Sequence, residues 1–324
     1  MKAVLWTKYG SPDVLQYGEA DKPIPKDNEV LIKVHAATVT AGDCEMRRFD
    51  LAARIWLPVR LIMGIRKPRR KVLGQELAGE IEAVGKHVTR FKPDDHVFAE
   101  TRLNLGAYAQ YACLPATYAM AVLPESVSFE TGATLPVGGI NALHFLRKGE
   151  VRKGETVLIN GAGGSIGTYA IQLAKSYGAE VTAVDSTEKL DLLRSIGADH
   201  VIDYTKEDFT KKGERYDAII DVVGTSAFSR SIRALNPNGR YVLGNPRLPG
   251  MIRGLLTSLF TTKKVLFELA SPSTEDLTKL ATLTDQGKIK CVIDRRYPLE
   301  NVAEAHRYVE TGKKQGNVII AIEP

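Results

Sequence analysis

Between residues 156 and 185 apolar runs alternate with turn residues in a fixed order. Thr156–Asn160 (TVLIN) is short, apolar and β-branched, which predicts a buried strand. A glycine-rich turn follows over 161–167. Apolar residues then recur at helical spacing to Tyr177, and Gly178 closes the helix. Glu180–Asp185 is a second strand with an acid at its end. The alternation continues through four more predicted strands, Val201–Asp203, Tyr216–Val223, Arg240–Gly244 and Lys264–Leu269. Helical spacing covers Ile166–Tyr177, Lys189–Ile196 and Phe228–Ala234. Such alternation predicts an α/β unit with a doubly wound, six-stranded parallel sheet.

The residues before about 124 have another character. Short strand-like runs (KAVLWTKYG, EVLIKVHAATV, LAGEIEAVG, HVFAE, AYAQYACL) are punctuated by Pro23, Pro25, Pro58, Pro68, Pro93 and Pro115. They predict an antiparallel, barrel-like domain. After Pro272 a helix (Glu275–Gln286), the run VIDRRYPLE, a helix (Val302–Thr311) and a strand (Gly316–Ile322) are too few for a domain of their own. The simplest topology returns them to the first domain. The expected organisation is thus 1–123 plus 271–324, with 124–270 as an inserted dinucleotide-binding domain.

The strand–turn–helix–strand order carries the chemistry. Glycines let backbone approach a pyrophosphate, and the first helical turn offers amides and a positive dipole end. The candidate cofactor residues are Ala162, Gly163, Gly164, Ser165, Ile166 and Gly167, then Asp185, Ser186, Lys189 and Tyr204. The spacing Ala162-x-Gly164-x-x-Gly167 departs from G-x-G-x-x-G in its first place. An ordinary tight turn without ligand is the competing reading, but the acid about 20 residues on fits the mechanism. Asp185 can accept from both ribose hydroxyls and repels a 2′-phosphate, which leans toward NAD(H). Ser186 and Lys189 are residue types that hold a 2′-phosphate, so NADP(H) stays open.

At 324 residues the chain can build two cores. Cys44, Cys113 and Cys291 lie far apart, which argues for a reducing, cytoplasmic setting. Met1–Tyr9 reads as a strand rather than a signal peptide, and no apolar run is long enough to span a bilayer. The net charge of +6 has a local source. Arg47 to Lys71 holds nine basic residues and one acid, a local +8, which against +6 leaves −2 for the rest. That distribution argues against a general nucleic-acid footprint. The same segment contains Trp56, Leu57, Leu61, Ile62 and Met63. It reads as a solvated loop or short helix. The alternatives are a lid in which Trp56 and Leu57 meet an apolar acceptor, or a contact with an anionic membrane surface.

Near end to end, the chain resembles the medium-chain dehydrogenase/reductase superfamily and, within it, the zinc-independent quinone oxidoreductases. KAVLWTKYGSPDVLQ, ATVTAGDCEMRR, LGQELAGEIEAVG, GAYAQYACLP, LPVGGINALHFL and LRSIGADHVIDY carry the resemblance with the glycine turn. It implies a GroES-like catalytic domain, a Rossmann domain and a cleft for nicotinamide. Zinc-dependent relatives have Cys and Gly-His-Glu where this chain has Thr40 and Gly74-Gln75-Glu76, and no cysteine lobe lies between Val97 and Tyr111. No metal is therefore expected, because Thr and Gln are poor zinc ligands. A substitute set of Cys44, Glu76 and His96 is a remote alternative. Thr40 stands where quinone reductases carry Asn, and Asn141 where they often carry Thr. These two are the candidate donors and positioners in the cleft, while Asp43 reads as a turn cap. The implied activity is hydride transfer from NAD(P)H to a quinone or α,β-unsaturated carbonyl. A weakly catalytic dinucleotide-binding protein and, more remotely, a zinc-type alcohol dehydrogenase are the alternatives. A homodimer is expected through the sheet edge at Lys263–Ala270, since an uncovered edge is a liability.

Overall fold

A computed structural model describes residues 1–51, 53–224, 226–245 and 248–323, with the side chains of residues 53–55 left aside. In chain order its strands are β1 (Lys2–Trp6), β2 (Leu15–Glu19), β3 (Glu29–Thr38), β4 (Glu76–Val84) and β5 (His96–Glu100). They continue with β6 (Tyr111–Pro115), β7 (Met120–Val122), β8 (Thr156–Asn160), β9 (Glu180–Asp185) and β10 (His200–Asp203). The last are β11 (Tyr216–Asp221), β12 (Leu235–Leu243), β13 (Lys264–Leu266), β14 (Ile293–Pro298) and β15 (Asn317–Ala321). The helices that matter most below are α1 (Ala41–Arg48), α2 (Ala53–Met63), α3 (Phe129–Ala133), α4 (Ile140–Lys148) and α5 (Ser165–Ser176).

The described residues form two compact units. The first comprises 1–137, 272–286 and 293–324. Its main sheet runs β14-β15-β3-β4-β5-β7, with β6 also on β3. All of these pairs are antiparallel except β14 with β15. Strand β3 is central because it carries little polar surface. Val30, Ile32, Val34, Ala36 and Ala37 are fully buried. One edge of β3 is shared, β6 pairing with residues 29–33 and β15 with 36–38. Residues 272–286 and 293–324 lie in this unit, while 287–292 between them fall in the second. Helix α3 packs on β3, β4 and β5, with Phe129 stacked on His35 at 4.4 Å. It therefore falls in the first unit, although it lies beyond 124, where the sequence changes character.

The second unit comprises 138–271 and 287–292. Its six strands are all parallel, in the order β10-β9-β8-β11-β12-β13. Numbered from β8, this is 3-2-1-4-5-6, the doubly wound order whose direction of growth reverses between β8 and β11. Val157, Leu158 and Ile159 are fully buried, as a strand covered on both faces requires. Three details differ from the sequence reading. β12 starts at Leu235, ahead of Arg240, and β13 stops at Leu266. Residues Leu248–Phe260 form a helix where no element was expected. Pro249, Gly250 and Gly254 mask its apolar spacing, yet Pro is tolerated in a first turn.

Candidate dinucleotide site and its surroundings

The turn after β8 is shaped by three glycines with different tasks. Gly161 takes φ +82°, and a Cβ there would lie 2.3 Å from Val223 Cγ2. Gly167 sits so close to the preceding strand that a Cβ would meet Ala162 backbone at 2.5 Å. At Gly164 a Cβ would find only Gly161 O, at 3.7 Å. The space above Gly164 is therefore open. Gly164 is also the N-cap of α5 and supplies no side-chain cap. Thr168 N begins the intrahelical ladder by donating to Gly164 O at 3.0 Å, so the amides before it face the turn. An open cradle at the N-terminus of a 12-residue helix fits a pyrophosphate. The apparent departure from G-x-G-x-x-G is now explained. The tight-turn glycine is Gly161, one residue earlier, and Ala162 is a buried packing residue.

Asp185, at the end of β9, braces this turn. Its Oδ2 accepts from Gly163 N at 2.7 Å, and its Oδ1 accepts from Ser186 N at 2.8 Å. Lys189 Nζ is 3.1 Å from Oδ1, and both side chains are buried. Lys189 is thus no solvated helix residue. Tyr204 is 61% exposed, which rules out a core-edge role. Its N–H donates to Asp185 O at 3.1 Å. Sequence reasoning overlooked Asp221, at the end of β11 where the strand order reverses. Its fully buried carboxylate accepts from Asn160 Nδ2 (2.9 Å), Gly224 N (2.8 Å), Tyr241 O–H (2.7 Å) and Ser226 O–H. The available signal was an acid ending an apolar strand.

In the first unit Thr40 opens α1 in a reciprocal capping box. Its N–H and O–H donate to Asp43 Oδ2 at 2.9 and 2.6 Å, and Asp43 N donates back to Thr40 Oγ1 at 3.1 Å. Asp43 is the turn cap its position suggested. The Thr40 proton is committed to it, so Thr40 Oγ1 is not a standing donor. Burial pushes the Asp43 carboxyl up to about 6, against the bonds from Thr40. Gln75 lies alongside, its Oε1 3.0 Å from where a Gly42 Cβ would sit. Burial pushes Glu76 up to about 8, although Val137 N (2.7 Å) and Thr38 O–H donate to it. Glu100 faces it across the β4–β5 pairing and is pushed up to about 7, again by burial. Asn141 is the second residue of α4, half-buried, in the second unit.

The substitute metal set is not assembled. Cys44 Sγ lies 3.3 Å from His306 Nδ1, His96 is exposed beside Phe129, and Glu76 bonds Thr38 and Val137. Burial pushes the Cys44 thiol up to about 12 and His306 down to about 3, so both are neutral. No group of three potential ligands occurs among the described residues. A hydroxyl committed to capping and an amide do not fit zinc.

The basic segment divides in two. Arg47 is fully buried, donating to Gly10 O at 3.0 Å and pairing with Glu310, which also pairs with Arg48. Arg47 therefore belongs to the interior side of α1, while Arg48 is exposed with its charge paired to Glu310. Helix α2 follows. Trp56 packs edge-on to Phe49 at 5.7 Å and is 41% exposed, while Leu57 is 58% exposed. Arg54 lies outside the described side chains.

A parallel 3-2-1-4-5-6 sheet with a glycine cradle in one unit and a mainly antiparallel sheet in the other define the two-domain dehydrogenase/reductase architecture. Residues 26–125 match the family described as "Alcohol dehydrogenase GroES-like domain" and 196–320 the one described as "Zinc-binding dehydrogenase". A quinone oxidoreductase of Sus scrofa is 34% identical over 94% of this chain and 93% of its own length. The "NADPH-dependent alkenal/one oxidoreductase, chloroplastic" of Arabidopsis thaliana is 33% identical over 99% of this chain and 79% of its own. Among solved structures, the Escherichia coli quinone oxidoreductase complexed with NADPH superposes with a TM-score of 0.84, at 27% identity, covering 99% of this chain and 100% of that one. The chain belongs to the medium-chain dehydrogenase/reductase superfamily, in its quinone oxidoreductase family.

Proposed function

We propose that this protein is an oxidoreductase acting on a quinone or an α,β-unsaturated carbonyl with a reduced nicotinamide cofactor. The observation that carries the reading is the open cradle at Gly164, in a chain that aligns nearly end to end with quinone and enone reductases. When bound, the nicotinamide supplies the hydride. Ser165, Ile166 and Gly167 hold the pyrophosphate with backbone amides, Gly163 and Gly164 shape the cradle while their own amides donate to Asp185 and Gly161, and Tyr204 lies beside the adenosine. Asn141 positions the acceptor and donates to its developing oxyanion. Thr40 keeps a supporting role, since its proton is held by Asp43. No metal is needed, because an electron-poor acceptor requires less polarisation than an alcohol. Oxidation of NADH and NADPH against a panel of quinones and enones tests the reading. Tight cofactor binding without turnover on any acceptor would leave a dinucleotide-binding protein, and stoichiometric zinc by elemental analysis would return the alcohol dehydrogenase alternative.

For the cofactor we infer a slight preference for NADH. Asp185 ends β9 where the ribose hydroxyls lie in this fold, but Lys189 offsets its charge. The preference is therefore small, and Asp185→Ser should reverse it. A preference for NADPH in the unmodified protein would mean that Lys189 and Ser186 dominate. We also infer a homodimer. Strand β13 ends the parallel sheet, and the helix Leu248–Phe260 beside it exposes Leu248, Ile252, Leu255, Leu256, Leu259 and Phe260. An open strand edge next to an uncovered apolar face suits a second copy.

A further inference from the structure

We propose that α2 and the residues after it, up to Lys71, form a docking surface for an anionic lipid bilayer. The helix is fixed to the first unit along one side only. Met63 and Gly64 are buried, Tyr9 O–H donates to Gly64 O at 2.7 Å, and the Arg60 guanidinium lies 4.0 Å from the Tyr9 ring and 4.4 Å from that of Phe49. The other side is apolar and uncovered. Leu57 and Leu61, one turn apart on α2, are 58% and 51% exposed with Ile62 at 53% beside them, and Ile65, just past the helix end, is 62% exposed. Five exposed cations follow at once: Arg66, Lys67, Arg69, Arg70 and Lys71. Residues 51–75 contain no acid, and no carboxylate pairs with these five among the described residues. A rigidly seated apolar row beside clustered unpaired cations is the composition of a helix that lies in a lipid interface. Trp56, half-exposed at the start of the row, suits the headgroup level. A nucleic-acid backbone would use the cations but leave the leucines and isoleucines in water. The apolar row therefore decides for lipid. The surface is independent of the activity proposed above.

Co-sedimentation of the full chain with vesicles tests the proposal. Binding is expected to vesicles of equal parts phosphatidylcholine and phosphatidylglycerol, with little to phosphatidylcholine alone. Replacing Arg66, Lys67, Arg69 and Arg70 with Gln should weaken binding on the order of 1,000-fold at low salt. The triple substitution Leu57→Gln, Leu61→Gln, Ile65→Gln should abolish the binding that survives at physiological salt. A third readout needs no variant. Trp6 is buried, so a vesicle-induced blue shift and loss of quenching in tryptophan emission reports Trp56. Absence of binding to anionic vesicles overturns the proposal, as does binding that the apolar triple variant leaves unchanged. An unshifted Trp56 emission on saturated vesicles, or an effect of the triple variant confined to KM for soluble acceptors, would also overturn it and make α2 a lid or a solvated element.

Discussion

Gly164 separates the stability of its helix from the helix's use. Aspartate at an N-cap accepts from the first-turn amides and, relative to the glycine present, adds roughly a few tenths of a kcal/mol to a helix. At φ −88°, with no atom nearer than 3.7 Å to a new Cβ, Gly164→Asp should fold as well as the parent or better. The same carboxylate would face the pyrophosphate. Calorimetry should show an unchanged or raised Tm, and titration a loss of NADH and NADPH affinity on the order of 100-fold for both. Equal loss for both cofactors is what assigns the cradle to the pyrophosphate rather than to the ribose. Glu76 offers a second test. Its carboxyl lies near 8 in the folded chain against an ordinary 4.5, so the folded state holds a proton that the unfolded chain releases. Its contribution is complete below pH 4.5 and is lost as pH rises toward 8. Glu76→Gln should flatten the fall in Tm across that window, and an unchanged pH profile would count against the assignment. The Thr40–Asp43 cap was legible, because Thr-x-x-Asp before a helix is a local pattern. The Glu76 shift was not, because burial comes from strands far apart in sequence.

Helices and strands show the same division between local and distant causes. The glycine turn and α5 followed from spacing alone. Arg47 looked like surface charge because its partner, Glu310, is 263 residues away. It is instead a buried guanidinium that ties α1 to the helix Val302–Glu310. Glu310→Ala leaves that charge without a carboxylate and should cost about 3–5 kcal/mol, read as a lower denaturant midpoint at unchanged slope. A loss within experimental error of zero would mean that the Gly10 carbonyl alone satisfies Arg47. Helix Leu248–Phe260 was hidden for a different reason. Its glycines weaken propensity, yet Gly254 is needed where a Cβ would meet Val265 at 2.7 Å.

At the scale of the whole molecule, the doubly wound unit was read nearly strand for strand, and the first unit only in outline. Parallel strands advertise themselves as continuous apolar runs, while the pairing of β15 with β3 leaves no local mark. Sedimentation at micromolar concentration should find a dimer, and Leu255→Asp with Leu259→Asp should yield monomers if the exposed helix beside β13 is covered by a second copy. A monomer in the unmodified protein would remove the homodimer.

The position of β15 sets an order of events during synthesis. Residues 36–38 of β3 hydrogen-bond to 319–321, so that edge stays bare until those residues have emerged. The second unit is nearly contiguous and can close much sooner. The first unit, begun before the second, is therefore completed after it. For that interval its buried Ala36, Ala37 and Thr38 form an unpaired edge open to chaperones and to neighbouring ribosomes' chains.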